Sequence, residues 1–209
     1  MSDVDRVLGY WLGDPEEDVR EPGARSRRWF QGGEAVDRDV RERFGDLVAA
    51  AQRGELEAWA EVPRSRLALV ILLDQLSRNA YRGDPRAHAG DEKALALALD
   101  AYDRRWDRAL TLEERRWLVM PLLHAEDLAT LARAKEIFVA LAADAPAAQR
   151  GFFDAGVARA QKYHAVIARF GRFPHRNALL GRASTVEEDA FLLTWDGPGG
   201  KMPPSAERT

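Results

Sequence analysis

The chain has 209 residues, of which 46% are hydrophobic and 31% charged, and its formal net charge is −3. A nearly balanced, slightly acidic composition argues against a dedicated nucleic-acid or membrane-surface protein. Because the sequence contains no cysteine, it excludes disulfides, thiolate metal sites and cysteine nucleophiles. The N-terminus lacks the pattern of a secretory signal, and the longest apolar run, residues 67–73, is far shorter than the roughly 20 residues of a membrane span. We expect a soluble cytoplasmic protein.

Apolar residues at helical spacing predict three helices in the first part of the chain, over residues 4–12, 35–53 and 64–79. Gly13 and Gly54 are suited to end the first two. The middle of the third helix is apolar on every face, which is typical of a buried central helix. Residues 13–28 have the composition of a loop, and the aromatic pair that follows them, residues 29–30, is expected to pack that loop onto the core.

Capping and helix-breaking residues position the later helices. Asp84 and Pro85 mark one helix start, Thr111 and Glu114 form a capping box at another, and Pro121 interrupts the pattern that follows. The predicted ranges are 85–106, 111–120, 128–141, 147–170 and, after a capping box at Ser184 or Thr185, a final helix through Trp195.

No stretch alternates with period two, so the predicted fold is all-α. Seven or eight antiparallel helices suit a multi-helix bundle or a helix-pair solenoid. We expect one helical domain over residues 1–196 and a disordered C-terminal tail over residues 197–209, which are rich in glycine and proline.

Three groups of polar residues interrupt apolar surroundings and are the candidate functional residues. The first group is Asp74, Gln75, Arg78 and Asn79; the second is His124, Glu126 and Asp127; the third is His164, Arg172, His175, Arg176 and Asn177. The third group belongs to a basic segment, residues 155–186, which carries six arginines and lysines and no acid. A basic segment in an acidic chain predicts an anionic partner.

Arginine is suited to two-pronged binding of a carboxylate or phosphate, and histidine or a carboxylate can move a proton. If the three groups converge, they form a partly buried polar pocket for a small anionic ligand, with or without acid–base catalysis. In this hypothesis the catalytic residues are His124, Glu126 and His175. The ligand-binding residues are Asp74, Arg78, Asn79, Asp127, His164, Arg172, Arg176 and Asn177.

Two other interpretations stay open. In one, the helices are a scaffold whose concave face binds an acidic peptide. In the other, the polar groups are purely structural and lock the helices together as buried ion pairs. We interpret His88 as a surface histidine. No metal or cofactor is predicted, because the sequence has no His-x-x-x-His spacing, no phosphate-binding glycine loop and no dinucleotide fingerprint. It also has no nucleophile elbow of the Gly-x-Ser-x-Gly type.

Three separated motifs are residues 72–83 (LLDQLSRNAYRG), residues 121–128 (PLLHAEDL), and residues 169–177 (RFGRFPHRN) with 180–188 (LGRASTVEE). In this order they resemble a bacterial family named domain of unknown function 924. The resemblance runs from about Val4 to Trp195 and implies an all-helical fold similar to tetratricopeptide-repeat proteins, with no established activity. The residues that match its motifs are His124, Glu126, Arg172, His175, Arg176 and Asn177. Ser77 departs from it, since that position is commonly proline.

Overall fold

A computed structural model describes residues 1–13, 25, 29, 33–195 and 197. Within these residues the regular structure is helical and contains no strand, which confirms the all-α prediction. The chain divides into two compact units, Met1–Leu122 and Leu123–Thr209. None of the described helices is both long enough and apolar enough to cross a membrane.

The first unit consists of α-helices and short 3-10 turns. Its helices are α1 (Asp3–Leu12), α2 (Gly33–Arg53), α3 (Pro63–Ile71), α4 (Ser77–Ala80), α5 (Asp91–Asp103) and α6 (Leu112–Leu118), and α7 (Met120–His124) crosses its boundary. The 3-10 turns are Glu57–Glu61, Pro85–His88 and Trp106–Ala109.

The centre of the first unit is α3, as its uniformly apolar sequence predicts. Pro63 occupies the first turn, where its missing N–H removes no helical hydrogen bond. From Leu67 onward every side chain of α3 is at most 1% exposed. The helix packs against α1, α5 and α6, so it can be apolar on all of its faces.

The predicted helix over residues 64–79 is one continuous helical path with a wider π turn inside it. The π turn spans Leu72–Leu76, and the N–H of Ser77 donates to the carbonyl of Leu72, five residues earlier. The Ser77 hydroxyl donates to the Leu73 carbonyl at 2.6 Å, which satisfies an acceptor that a regular α-helical N–H would otherwise occupy. The π turn contains Asp74 and Gln75, two residues of the first polar group.

The prediction of one helix over residues 85–106 was wrong. Pro85–His88 is a 3-10 turn, and α5 begins only at Asp91. Gly90 lies between them, so close to α3 and its π turn that an added Cβ would be 2.8 Å from the Leu73 carbonyl oxygen. This close approach requires glycine, because a side chain here would collide with the π turn.

The second unit is a long helix pair followed by a turn-rich segment. The pair is α8 (Leu128–Asp144) and α9 (Ala147–Phe170), and α10 (Val186–Leu192) comes last. Gly156 of α9 faces the ring of Phe138 on α8, and a Cβ at this glycine would come within 2.3 Å of the ring. Gly171 ends α9 at a φ of 70°, as predicted, and Thr185 rather than Ser184 caps α10.

Several predictions concern residues that the structure does not describe or properties that it does not test. The predicted loop falls largely on residues that the structure leaves undescribed, as do Phe30 and the predicted tail beyond Gly197. Trp29 is described: its Nε1 donates to the Trp11 carbonyl at 2.7 Å and its ring packs on Trp117, as expected. A single domain over residues 1–196 and a solenoid of the tetratricopeptide type stay predictions.

Candidate functional site

Two residues of the first polar group, Asp74 and Arg78, form a network with His88 and Asp91. We name these four residues the Arg78 network. The π turn places Asp74 only 1% exposed, where its carboxylate accepts from Arg78 Nη2 at 3.2 Å. Arg78 Nη2 also donates to Asp91 Oδ1 at 2.9 Å. Burial alone would lower the pKa of Arg78, but the two carboxylates outweigh it and raise that pKa above its ordinary value.

His88 belongs to this network, so its interpretation as a surface histidine was wrong. Its ring nitrogen Nδ1 lies 2.7 Å from Arg78 Nη1 and 2.9 Å from Asp91 Oδ2. A guanidinium only donates and a carboxylate only accepts, so Nδ1 can satisfy one of these neighbours at a time. The position of Asp91 three residues after His88 was the available sequence signal, but the Gly90 break that brings both to Arg78 was not visible.

Asn79 faces a different acid from its neighbour Arg78. Its side-chain nitrogen donates to Asp37 of α2 at 2.8 Å, and Arg82 donates to the same carboxylate through Nη2 at 2.9 Å and through Nε. Desolvation would raise the pKa of Asp37, yet these hydrogen bonds hold it below its ordinary value. Asn79 therefore ties α4 to α2.

The second and third polar groups meet in the second unit, in what we name the arginine cluster: Glu126, Arg172, Arg176, Asn177, Arg182 and Glu188. Glu126 accepts the Phe173 N–H at 2.8 Å and a two-pronged pair from Arg182 at 2.7 and 3.0 Å. Desolvation opposes the charge of Glu126, but these donors lower its pKa. Arg182 is not among the residues predicted for the site, because Arg182 lies outside the densest part of the basic segment.

Arg172 makes the other two-pronged pair of the cluster. Its Nε and Nη2 donate to Glu188 at 2.7 and 2.8 Å, and Nη2 also donates to the Ala183 carbonyl. Asn177, 1% exposed, donates to Ser184 at 3.1 Å and to Glu188 at 3.3 Å. The hydrogen bonds from Arg172 and from the Thr185 backbone lower the pKa of Glu188 to about 2.

Aromatic rings surround the rest of the third group. The Arg176 guanidinium lies 4.6 Å from the centre of the Phe173 ring, and Arg176 is only 8% exposed. The His175 ring stacks on Trp195 with centroids 5.7 Å apart, and Lys162 Nζ lies 4.1 Å from the same indole. These contacts hold the segment after α9 against α9 and the end of α10.

Three further predicted site residues lie outside the Arg78 network and the arginine cluster. Asp127 is the N-cap of α8, where it accepts from the Thr130 N–H and hydroxyl at 2.7 Å, a structural role. His124 is the last residue of α7 and is half-buried. His164 is exposed on α9 and lines a groove. The structure thus unites Glu126 with the third group, and convergence of all three groups stays a prediction.

This groove, the α8–α9 groove, has a volume of about 430 Å³. Its lining residues are Leu131, Ala132, Lys135, Glu136 and Val139 of α8 and Ala160, Gln161 and His164 of α9. Leu131 and Ala160 are fully buried and form an apolar floor, while Val139 is 50% exposed. Pockets for small ligands are commonly of this size, with apolar walls and a few polar groups.

No part of the chain that the structure describes brings together three His, Asp or Glu side chains arranged to hold a metal ion. Acid–base groups are present in both units, but most of the described arginines near them already pair with carboxylates. In the α8–α9 groove, by contrast, polar side chains surround an apolar floor.

Comparison with known proteins gives a family and a related structure. The family model of a bacterial protein of unknown function, DUF924, matches residues 7–196. The structure of the protein of unknown function ATU0120 from Agrobacterium tumefaciens is similar, with 32% sequence identity and a TM-score of 0.74. The match covers 92% of this chain and 97% of that chain. No curated protein matches the sequence. The chain therefore belongs to the DUF924 family of bacterial proteins of unknown function.

Proposed function

We propose that this protein binds a small anionic molecule, and that the α8–α9 groove is the binding site. One observation carries the proposal: Lys135, Glu136, Gln161 and His164 line the groove, and none of their side chains forms a hydrogen bond or ion pair with another described residue. Such side chains can bond to a ligand without first breaking a hydrogen bond within the protein.

The chemistry of these side chains favours an anion. Lys135 supplies an ammonium, Gln161 an amide N–H and His164 a ring N–H, and Glu136 is the one acid in the lining. Donors therefore outnumber acids around the apolar floor. A carboxylate or a phosphate is the ligand group that accepts several such hydrogen bonds at once.

The arginine cluster supports a structural role rather than ligand binding by Arg172. That guanidinium already occupies two donors on Glu188, and an anion would have to displace a carboxylate that is only 2% exposed. Glu126 is held ionised by Arg182 and is poorly suited to donate a proton near neutral pH. Catalysis by His124, Glu126 and His175 stays a prediction.

Titration of the ¹⁵N-labelled protein with acetate, hexanoate and inorganic phosphate tests the proposal. We expect amide shifts in residues 131–139 and 160–164. Lys135→Ala removes the charge-assisted contact and is expected to weaken binding by about tenfold, equivalent to about 1.4 kcal/mol. Arg150→Ala is the matched control, because Arg150 is an exposed cation of α9 outside the groove. Equal effects of the two substitutions, or no shifts in the groove, would refute the proposal.

An acidic peptide is the second candidate ligand. The groove runs along the outer face of two helices, and Val139 leaves apolar surface exposed at its edge, as in helical peptide-binding surfaces. Peptides with a free or an amidated C-terminus would separate this candidate from the first. Tighter binding of a peptide than of any small anion, and loss of that binding on amidation, would favour the peptide.

A further inference from the structure

The order of polar and apolar residues along the α8–α9 groove narrows the class of its ligand. The linker between α8 and α9 is only two residues, Ala145 and Pro146, so the helices run antiparallel. Gly156 faces Phe138, which fixes the alignment of the pair. Ala160 follows Gly156 by one turn of α9 and lies beside the turn of α8 that precedes Lys135. His164 follows one turn later and lies near Leu131.

The two ends of the groove therefore differ in their exposed side chains, which are polar at one end and apolar at the other. His164 and Gln161 lie towards the Leu131 end, and Val139 lies two helical turns away at the other end. The distance along α8 from Leu131 to Val139 is about 12 Å. Lys135 stands between them, in line with the buried Leu131. Glu136 stands in the next row, with Ala132, on the outer side of the groove.

We propose that the ligand is an amphipathic monocarboxylate, a single carboxylate on an unbranched aliphatic chain. The inference rests on the proposed function and adds the ligand class to it. The carboxylate accepts hydrogen bonds from Lys135 and His164, and the chain extends along α8 towards Val139, which is 50% exposed. A second carboxylate on the same chain would be placed on apolar surface near Glu136, where both desolvation and repulsion disfavour it.

A chain-length series tests the ligand class. Acetate, butyrate, hexanoate and octanoate are titrated into the labelled protein, and affinity is taken from the shifts of groove amides. We expect binding to tighten about two- to fourfold for each added methylene, since each is removed from water. Adipate, as long as hexanoate but with two carboxylates, is expected to bind at least about tenfold more weakly than hexanoate. Hexylamine is expected to show no binding that depends on Lys135.

A matched pair of variants shows whether the chain lies in the groove. Val139→Ser is expected to remove most of the gain from chain length. Val186→Ser is the control, because Val186 is an exposed valine of α10, 88% exposed and outside the groove. Circular dichroism of both variants confirms the fold.

The outcomes separate the ligand class from the function. If acetate and phosphate bind at Lys135 but affinity does not rise with chain length, the monocarboxylate is wrong and the anion site stands. Equal loss of the chain-length gain in both valine variants would also overturn the inference, because the chain would then bind elsewhere. If no anion shifts the groove amides, both the inference and the proposed function fail.

Discussion

At the residue scale, Arg78 shows how a buried acid is made tolerable. Asp74 is 1% exposed and would be costly as a charge without a cation beside it. The π turn and the Gly90 contact bring His88 and Asp91 to the Arg78 guanidinium that pairs with that acid. The network consequently depends on its guanidinium more than an exposed ion pair would.

Arg78→Met should lower the free energy of unfolding by about 3–5 kcal/mol, because it leaves Asp74 buried without its cation. Urea denaturation followed by circular dichroism measures this. Arg53→Met is the control: Arg53 pairs with Glu55 at an exposed position, 60% and 55% exposed, so its loss is expected to be much smaller than that of Arg78→Met. A loss of similar size in both variants would contradict the role given to the network.

Many residues of the Arg78 network and of the arginine cluster stand out in the sequence, but not all of their partners do. Asp74 and Arg78 were visible as a charged pair leaving an apolar helix, four residues apart. His88 was misread because its partners depend on the Gly90 break and the π turn, which are tertiary features. The excess of positive charge, from which Arg172 is predicted to bind a ligand, does not reveal that Glu188, sixteen residues later, pairs with it.

At the element scale, the pair of α8 and α9 depends on the absence of a side chain at Gly156. The ring of Phe138 is 2% exposed and occupies the space that a Cβ would need. Such close contact between two helices brings their outer edges near each other and so forms the walls of the groove. The helix ranges themselves were well predicted here, and Ala147–Phe170 matches the expected range.

Gly156→Ala is expected to destabilise the protein by about 1–3 kcal/mol, because the ring and one helix must shift. Gly151→Ala on the same helix meets nothing within 4 Å and is expected to be neutral or stabilising by up to about 1 kcal/mol. Thermal unfolding of both variants measures the difference. An equal change in the two proteins would show that the contact with Phe138 does not govern this position.

At the scale of the whole molecule, ionised carboxylates set the response to acid. The pKa values of Asp37, Glu126 and Glu188 are all lowered by hydrogen bonds, that of Glu188 from an ordinary 4.5 to about 2. A carboxylate with a lowered pKa in the folded state stabilises the protein fully above its unfolded pKa, and this contribution disappears as the pH falls through the folded pKa.

We therefore expect the stability of the protein to fall as the pH drops from about 4.5 to about 2. Urea midpoints measured across this range test the expectation. Glu188→Gln keeps an acceptor for the Thr185 cap but cannot ionise, so the variant should show a shallower fall in this range. An unchanged slope in the variant would show that Glu188 does not contribute to the acid response.

The π turn at Leu72–Leu76 has a further consequence for insertions and deletions. A π turn holds one residue more than the α turn it replaces, so it is equivalent to a one-residue insertion in a helix. Removing one residue here would restore regular α-helical bonding, and the helix itself would gain. The same deletion would rotate α4 by about 100° relative to α3, turning Asn79 away from Asp37 of α2. A more regular helix and the bond between Asn79 and Asp37 are alternatives at this point of the chain.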